Sequence, residues 1–322
     1  MTNFLVSSAG RRGALVQILK GIARDLGGGK VMAIDASPMS AAGHLADHFE
    51  IVPRINSGDF VDSVLEVASR NHIDVIIPTI DPEISLYAES RERFAQRRID
   101  VWAPSLSTAN LGFDKWALFN WLRANSIPTV ETFEATDPTW KLIDGPVVAK
   151  PRSGSSSVGV ICAASIDELP AGLSEDYIVQ RMATGVELTV DFGVDRAGNF
   201  LGAVPRQRLE VRAGEVSKGV TVRVPEAERI TELLAAELPG MYGVANVQMF
   251  FDEDSGTANV IEINPRFGGG YPLAHAAGAD FVTALLEPAP VSTRPKLEWS
   301  SGMTMLRYDS AIFLSDTASE LR

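Results

Sequence analysis

Gln248-Met-Phe-Phe-Asp-Glu-Asp-Ser-Gly-Thr-Ala-Asn-Val-Ile-Glu-Ile-Asn-Pro-Arg266 reads as a β-hairpin with a metal site on one face. Asp252 to Thr257 is a polar, glycine-containing turn between two apolar runs. With the turn centred on Ser255, Gln248 lies opposite Glu262, and strand alternation puts Asn264 on the face of Glu262. Val247, Met249, Phe251, Ile261 and Ile263 fall on the other face, an apolar set suited to a core. Three oxygen-bearing side chains therefore stand above a hydrophobic floor. Such a set, poor in charge, suits Mg²⁺ when phosphates complete its shell, with Mn²⁺ as an alternative ion. Arg266 continues the polar row past Pro265.

The rest of the chain sets the limits. Its 322 residues, 45% hydrophobic, suffice for two or three domains. No apolar run reaches bilayer length, and the first residues lack the pattern of a signal peptide. One cysteine, Cys162, excludes an internal disulfide and a cysteine-cluster zinc site. These features predict a cytoplasmic protein without a membrane partner. A net charge of −12 argues against a nucleic-acid surface.

Strand and helix patterns alternate over the first hundred residues: strands at 4–6, 30–35 and 74–77, and helices at 14–26 and 60–70. This predicts a parallel sheet with right-handed crossovers. Beyond Pro104 the spacing predicts a helix over 114–125 and strands at 146–150, 158–162, 177–180, 187–194 and 199–208. A helix at 225–238 precedes the hairpin; another is expected over 272–286, and a weak strand over 303–308.

Several segments have the chemistry of anion or nucleotide contacts, and each also has a plainer reading. Arg152 to Gly159, containing Ser153, Gly154, Ser155 and Ser156, is either a phosphate cradle following Lys150 or a surface loop. Lys115 stands on the first turn of its helix, against the helix dipole. Gln180, Arg181 and Met182, followed by Glu187, could meet an adenine edge and a ribose, or simply connect two strands. Arg206, Arg208 and Lys218 cluster positive charge on neighbouring strand candidates. Gly268 to Gly270 offer free N–H groups at a helix start beside Arg266. Ser8 to Gly13, with Arg11, Arg12 and a later Asp35, form a degraded dinucleotide fingerprint; Thr79, Asp81 and Glu83 follow the strand at 74–77.

Taken in order, these pieces resemble the ATP-grasp superfamily, within it the carbamoyl-phosphate-synthase-like branch of carboxylate–amine ligases. The resemblance runs from Ser7–Gly13 and Ile77–Glu83 through Asp114-Lys115, Val148-Ala-Lys150-Pro and the serine–glycine loop to Glu262-Ile-Asn-Pro-Arg266. It implies an α/β chain: an N-terminal Rossmann-like parallel sheet over 1–105, then an ATP-grasp fold of two α+β subdomains over 106–182 and 183–322. It implies ATP held by Lys115, Lys150, the loop, Gln180–Met182, Glu187 and Gln248, with Mg²⁺ on Gln248, Glu262 and Asn264. Arg266 and Lys218 become catalytic. Arg11, Arg12, Thr79, Asp81, Glu83, Arg266, Gly268 and Gly269 become substrate contacts. Arg181 departs from the Gln-Glu hinge common in the family. The reaction implied is ADP-forming amide ligation through an acyl phosphate, with small carboxylate and amine substrates and a homodimer. The alternatives are an NAD(P)-dependent oxidoreductase built on the first domain and a non-catalytic nucleotide-binding protein.

Overall fold

A computed structural model describes residues 1–154, 158–170, 172–212, 214–287 and 296–314. The leading part runs β1 (Phe4–Val6), α1 (Gly13–Asp25), β2 (Val31–Asp35), α2 (Ala41–Leu45), β3 (His48–Ile51), α3 (Phe60–Arg70), β4 (Val75–Ile77), α4 (Asp81–Gln96) and β5 (Asp100–Val101). Its strands form a parallel sheet in the order β3-β2-β1-β4-β5. The helix at 60–70 forms where the spacing predicts it, burying Phe60, Val64, Val67 and Ala68 along one stripe. The order reverses direction between β1 and β4. The loops after their carboxyl ends, 7–12 and 78–80, therefore open on the crevice where such sheets take ligands.

Next come α5 (Leu106–Phe113), α6 (Lys115–Ala124), β6 (Thr132–Glu134), β7 (Val147–Pro151), β8 (Ile161–Ala163) and β9 (Tyr177–Arg181). The strands make a small antiparallel sheet, β6-β9-β7-β8. A larger antiparallel sheet, β14-β13-β10-β11-β12-β15, uses β10 (Val186–Val194), β11 (Phe200–Arg212), β12 (Glu215–Thr221), β13 (Gly243–Asp252), β14 (Thr257–Asn264) and β15 (Thr304–Leu306). α7 (Pro225–Glu237) covers one face, and α8 (Tyr271–Ala276) and α9 (Phe281–Leu286) follow β14. The single helix expected over 272–286 is thus two. Gly278, at φ +112°, breaks it, and Asp280 caps the second by accepting the Thr283 N–H.

Alternation sorts the large sheet into two chemistries. Leu188, Val190 and Phe192 of β10 and Val247 and Met249 of β13 are buried against α6 and α7. The intervening residues face the other way, and the register lines them up. One row across four strands reads Glu262, Gln248, Thr189, Arg206; the next reads Asn264, Asn246, Asp191.

The hairpin pairs Gln248 with Glu262 as expected, but a β-bulge follows at once. Met249 pairs with Val260, so Ile261 is the extra residue. Val260 takes the core position and is fully buried, whereas Ile261, expected in the core, lines the cleft beside Glu262.

A shared apolar core joins the leading sheet to the C-terminal part. Phe4, Val6 and Trp102 pack with Phe267, Tyr271 and Phe281, and Trp102 stacks on Phe267 at 6.4 Å. This packing holds the loop 265–270 over the crevice of the parallel sheet.

Candidate active site

Two cavities meet at the polar face of the large sheet, and Gln248, Glu262 and Arg208 line both. The first lies between the two antiparallel sheets and is walled by Lys115, Lys150, Gly154, Met182 and Glu187. Val130, Val148, Phe250 and Ile261 give it apolar surfaces, as a flat heterocycle requires. The second lies towards the parallel sheet and is walled by Arg12, Arg206, Asn264, Arg266 and Gly268 to Gly270.

Lys115 owes its place to Asp114 and Arg152. Asp114 caps α6, accepting the N–H groups of Trp116 and Ala117, and takes a bidentate pair from Arg152 at 2.8 and 2.7 Å. Burial would raise the Asp114 carboxyl, but Arg152 and the two N–H groups outweigh it and hold the carboxyl below its ordinary value. Arg152 also meets Glu134 at 2.9 Å. The loop after β7 is thereby fastened to the helix start, and Lys115 Nζ donates to the Gly154 carbonyl at 2.8 Å. The cation at the wrong end of the helix is mostly buried and faces the first cavity.

Lys150 is buried on β7 in the same cavity. Burial lowers its pKa to about 8; Glu262 pulls it up and Lys115 pushes it down. Ser153 and Gly154 line the cavity. Ser155 and Ser156 lie outside the described residues.

Gln180, Arg181 and Met182 line the cavity edge. The Gln180 amide is turned inward to Thr132 Oγ1 at 2.7 Å, and the N–H groups of Arg181 and Met182 donate to the Glu131 and Pro146 carbonyls. Those groups are therefore taken up within the protein. Ala183, next in the chain and absent from the sequence-based set, lines the cavity as well. Glu187 pairs with Arg208, and the buried Arg208 Nε has no partner.

Among the described residues, no donor or cation stands within bonding distance of the Glu262 carboxylate. Asn264 Oδ1 accepts from Arg266 Nη2 at 3.1 Å, and its amide nitrogen donates to Asn246 Oδ1 at 3.4 Å. No cluster of three or more His, Cys, Asp or Glu occurs among the described residues, so the protein alone offers a divalent ion one acid and two amides here. That donor set fits Mg²⁺ in the company of phosphate oxygens.

Arg266 reaches from the end of β14 to Asp81 of the leading part at 2.7 Å. Asp81 Oδ1 and Arg266 Nε are buried without partners. Arg206 is buried beside Asp191 at 2.7 Å. The glycines owe their identity to this crowding, since none of the three has a positive φ. A Cβ on Gly270 would stand 2.2 Å from Arg206 Cζ, and one on Gly269 2.7 Å from Arg12 Nη1.

Five expected residues line neither cavity: Asp81, which holds Arg266 from the leading part, Arg11, which is exposed and lines a separate cavity, and Thr79, Glu83 and Lys218. Thr79 and Glu83 are fully buried outside both cavities. Thr79 Oγ1 donates to the Ser7 and Ser8 carbonyls; Glu83 accepts from the Ser7 and Ser8 hydroxyls and the N–H groups of Thr79 and Ile80. Both therefore pin the crevice loops to the start of α4 and are not open to a ligand. Lys218 is half exposed and paired with Glu210 at 2.6 Å, away from the cavities. Arg206 and Arg208 bring the positive charge instead. Asp191, Asn246 and Thr189 were not singled out in the sequence, although Asn246 precedes Gln248 by two and shares its face by alternation.

Family models match this layout in order: a PylC-like N-terminal domain over residues 4–102 and an ATP-grasp domain over 113–270. A D-alanine--D-alanine ligase of Corynebacterium efficiens is 24% identical over 246 residues, 66% of this chain and 68% of that one. Pyruvate carboxylase of Rhizobium etli superposes at a TM-score of 0.69 with 20% identity, over 91% of this chain but 29% of that longer one. The biotin carboxylase domain of Hydrogenobacter thermophilus 2-oxoglutarate carboxylase, a dimer in complex with MgADP and bicarbonate, superposes at 0.69 with 17% identity, covering 94% and 72%. The chain thus carries an ATP-grasp domain over residues 113–270, behind a parallel-sheet leading part that matches a PylC-like N-terminal domain.

Proposed function

We propose that this chain is an ATP-dependent, ADP-forming ligase that joins a small carboxylate to an amine. The observation that carries the reading is the shared wall: Gln248 and Glu262 face a cleft walled by lysines and apolar side chains on one side and an arginine–glycine cavity on the other. ATP would occupy the first cavity and the carboxylate the second, with the transferred phosphoryl group at the wall between. The division at 105 and 182 belongs to this reading. The first two units would supply the crevice and Lys115 with Lys150, and the third the sheet face.

The carboxylate oxygen attacks the γ-phosphorus, the bond to the β-phosphate oxygen breaks, and ADP leaves. The amine then attacks the acyl carbon and phosphate departs, taking up the proton that the nitrogen loses. Gln248, Glu262 and Asn264 would hold Mg²⁺, which when bound neutralises charge on the phosphates. Lys115 and Lys150 orient the phosphate chain from the opposite wall. Arg266, held by Asp81, and the N–H groups of Gly268 and Gly269 stabilise charge on the acyl phosphate. Arg12 adds attraction for the carboxylate. Glu187, once exchanged from Arg208, would accept the ribose hydroxyls.

The test is ADP release by the full chain with MgATP and pooled carboxylates and amino acids. Release that depends on one carboxylate–amine pair is expected. Absence of ATP binding in the presence of Mg²⁺, or saturable binding of NADH in its place, would overturn the assignment.

A further inference from the structure

Asn246 on β13 lies directly opposite Asn264, the last residue of β14. Pro265 follows and has no N–H, so the strand ladder stops there. The Asn246 side chain takes up the loose end. Its amide nitrogen donates to the carbonyls of Asn264 at 3.4 Å and Arg266 at 3.2 Å.

Those contacts decide which way two amides turn. With its nitrogen on the carbonyls, Asn246 has only Oδ1 left for its neighbour, and that oxygen accepts from Asn264 Nδ2 at 3.4 Å. Asn264 must then show Oδ1 on its other side. Arg266 demands the same, because a guanidinium donates and never accepts, and its Nη2 stands 3.1 Å from Asn264 Oδ1. Turning the Asn264 amide over would set acceptor against acceptor at Asn246 and donor against donor at Arg266. The two side chains are 3% and 4% exposed, so water is poorly placed to repair either mismatch.

Arg266 uses one lone pair of Asn264 Oδ1, and among the described residues no other donor reaches that atom. The other lone pair is left for a cation. Both asparagines line the second cavity together with Gln248 and Glu262. The carbonyl contacts alone would make Asn246 a cap for the strand end; the contact to Asn264 ties it to the site.

We propose that Asn246 is a positioning residue for the metal face: it holds the Asn264 amide so that oxygen, and not nitrogen, meets a divalent cation. The assignment rests on the ligase reading in taking Asn264 as a ligand of Mg²⁺. Asn246 itself touches neither nucleotide nor metal. Removing a partner that orients a ligand in this way weakens metal affinity by about 10- to 100-fold.

The experiment uses the full chain in four forms: unaltered, Asn246→Ala, Asn264→Asp, and the two changes together. Asn246→Leu, closer in volume, replaces the alanine variant if that one does not fold. Binding of the β,γ-imido analogue of ATP is measured by calorimetric titration, in EDTA and over a series of Mg²⁺ concentrations, so no turnover is needed. Mg²⁺ should raise the affinity of the unaltered chain. Asn246→Ala should weaken the apparent affinity for Mg²⁺ at least about tenfold and leave nucleotide binding in EDTA unchanged. A carboxylate at 264 has oxygen on both sides and needs no partner to turn it. Asn264→Asp should therefore keep the Mg²⁺ effect, and adding Asn246→Ala to it should change nothing further. Equal losses in both backgrounds would make Asn246 a strand-end cap only and overturn the proposal. So would an unchanged Mg²⁺ effect in Asn246→Ala, or a loss of the same size in EDTA. Absence of any Mg²⁺ effect in the unaltered chain, or its loss in Asn264→Asp alone, overturns instead the metal assignment within the ligase reading.

Discussion

Lys150→Met, set beside a pH titration of the unaltered chain, isolates one buried ammonium. In the free protein Lys150 has a pKa of about 8, against 10.5 for an ordinary lysine, because burial outweighs the nearby Glu262 and Lys115 adds repulsion. A triphosphate beside it returns a partner and favours the charged form. ATP binding should therefore take up a proton above the free value. The apparent affinity is flat below about pH 7, then falls, about tenfold weaker by about pH 9. Full restoration of the lysine to 10.5 would correspond to about 3 kcal/mol, reached only above that value. Stability moves the other way. The folded value lies below the unfolded one, so the unfolded chain holds more protons from about 8 to 10.5, and the ligand-free fold gains stability on this account as pH rises through that window. The assay is fluorescence titration with a methylanthraniloyl ATP analogue and Mg²⁺ at constant ionic strength. The Lys150→Met variant should bind weakly and without this slope. A slope that persists in the variant, or is absent from the unaltered chain, would refute the reasoning.

Glu262→Ala should lower kcat by a factor corresponding to ~2.7–4 kcal/mol, the usual loss for one electrostatic stabiliser, with an unchanged urea midpoint; near-normal turnover contradicts its role. Gly270→Ala places a Cβ 2.2 Å from Arg206 Cζ and should cost about 1–3 kcal/mol in urea unfolding. Asp191→Ala leaves the buried Arg206 guanidinium unpaired and should cost ~3–5 kcal/mol by the same measurement, whereas Arg206→Met with Asp191→Leu should recover much of it.

The shared face of Gln248, Glu262 and Asn264 in the candidate site was legible because β-structure has a period of two. Gln248, Glu262 and Asn264 were placed together by counting from Ser255, and the register agrees. Counting fails where a residue is inserted: the bulge at Ile261 reverses the faces of β14 on its turn side, from Ile261 back to Ala258, and no local pattern marks that position. Thr79 and Glu83 were misread for another reason. An Asp-Pro-Glu segment after a strand has the composition of a ligand loop and also of a helix start, and here it opens the sixteen residues of α4. Ile84, Tyr87 and Phe94, at helical spacing, carried the signal for that helix. Lys218 shows what a strand assignment leaves out. It lies on β12 opposite Glu210, and the neighbouring strand, not the residue itself, decides that it turns to the surface.

The bulge also explains why one short hairpin can serve two cavities. An unbroken ladder would alternate strictly, sending Ile261 to the core and leaving Glu262 without an apolar neighbour on its own face. The extra residue brings Ile261 beside Glu262, so a hydrophobic wall and a carboxylate are adjacent in sequence and face the same cleft. Two residues on, Asn264 and then Arg266 face the other cavity, and Arg266 is held from outside the sheet by Asp81. The distance between the two cavities is thus set by the rise of one strand, whereas the direction of Arg266 depends on the leading sheet. Asp81→Asn should act on that direction alone: it should raise KM for the carboxylate while leaving the affinity for MgATP unchanged. An equal loss in both would mean that the parallel sheet supports the whole site and not the arginine in particular.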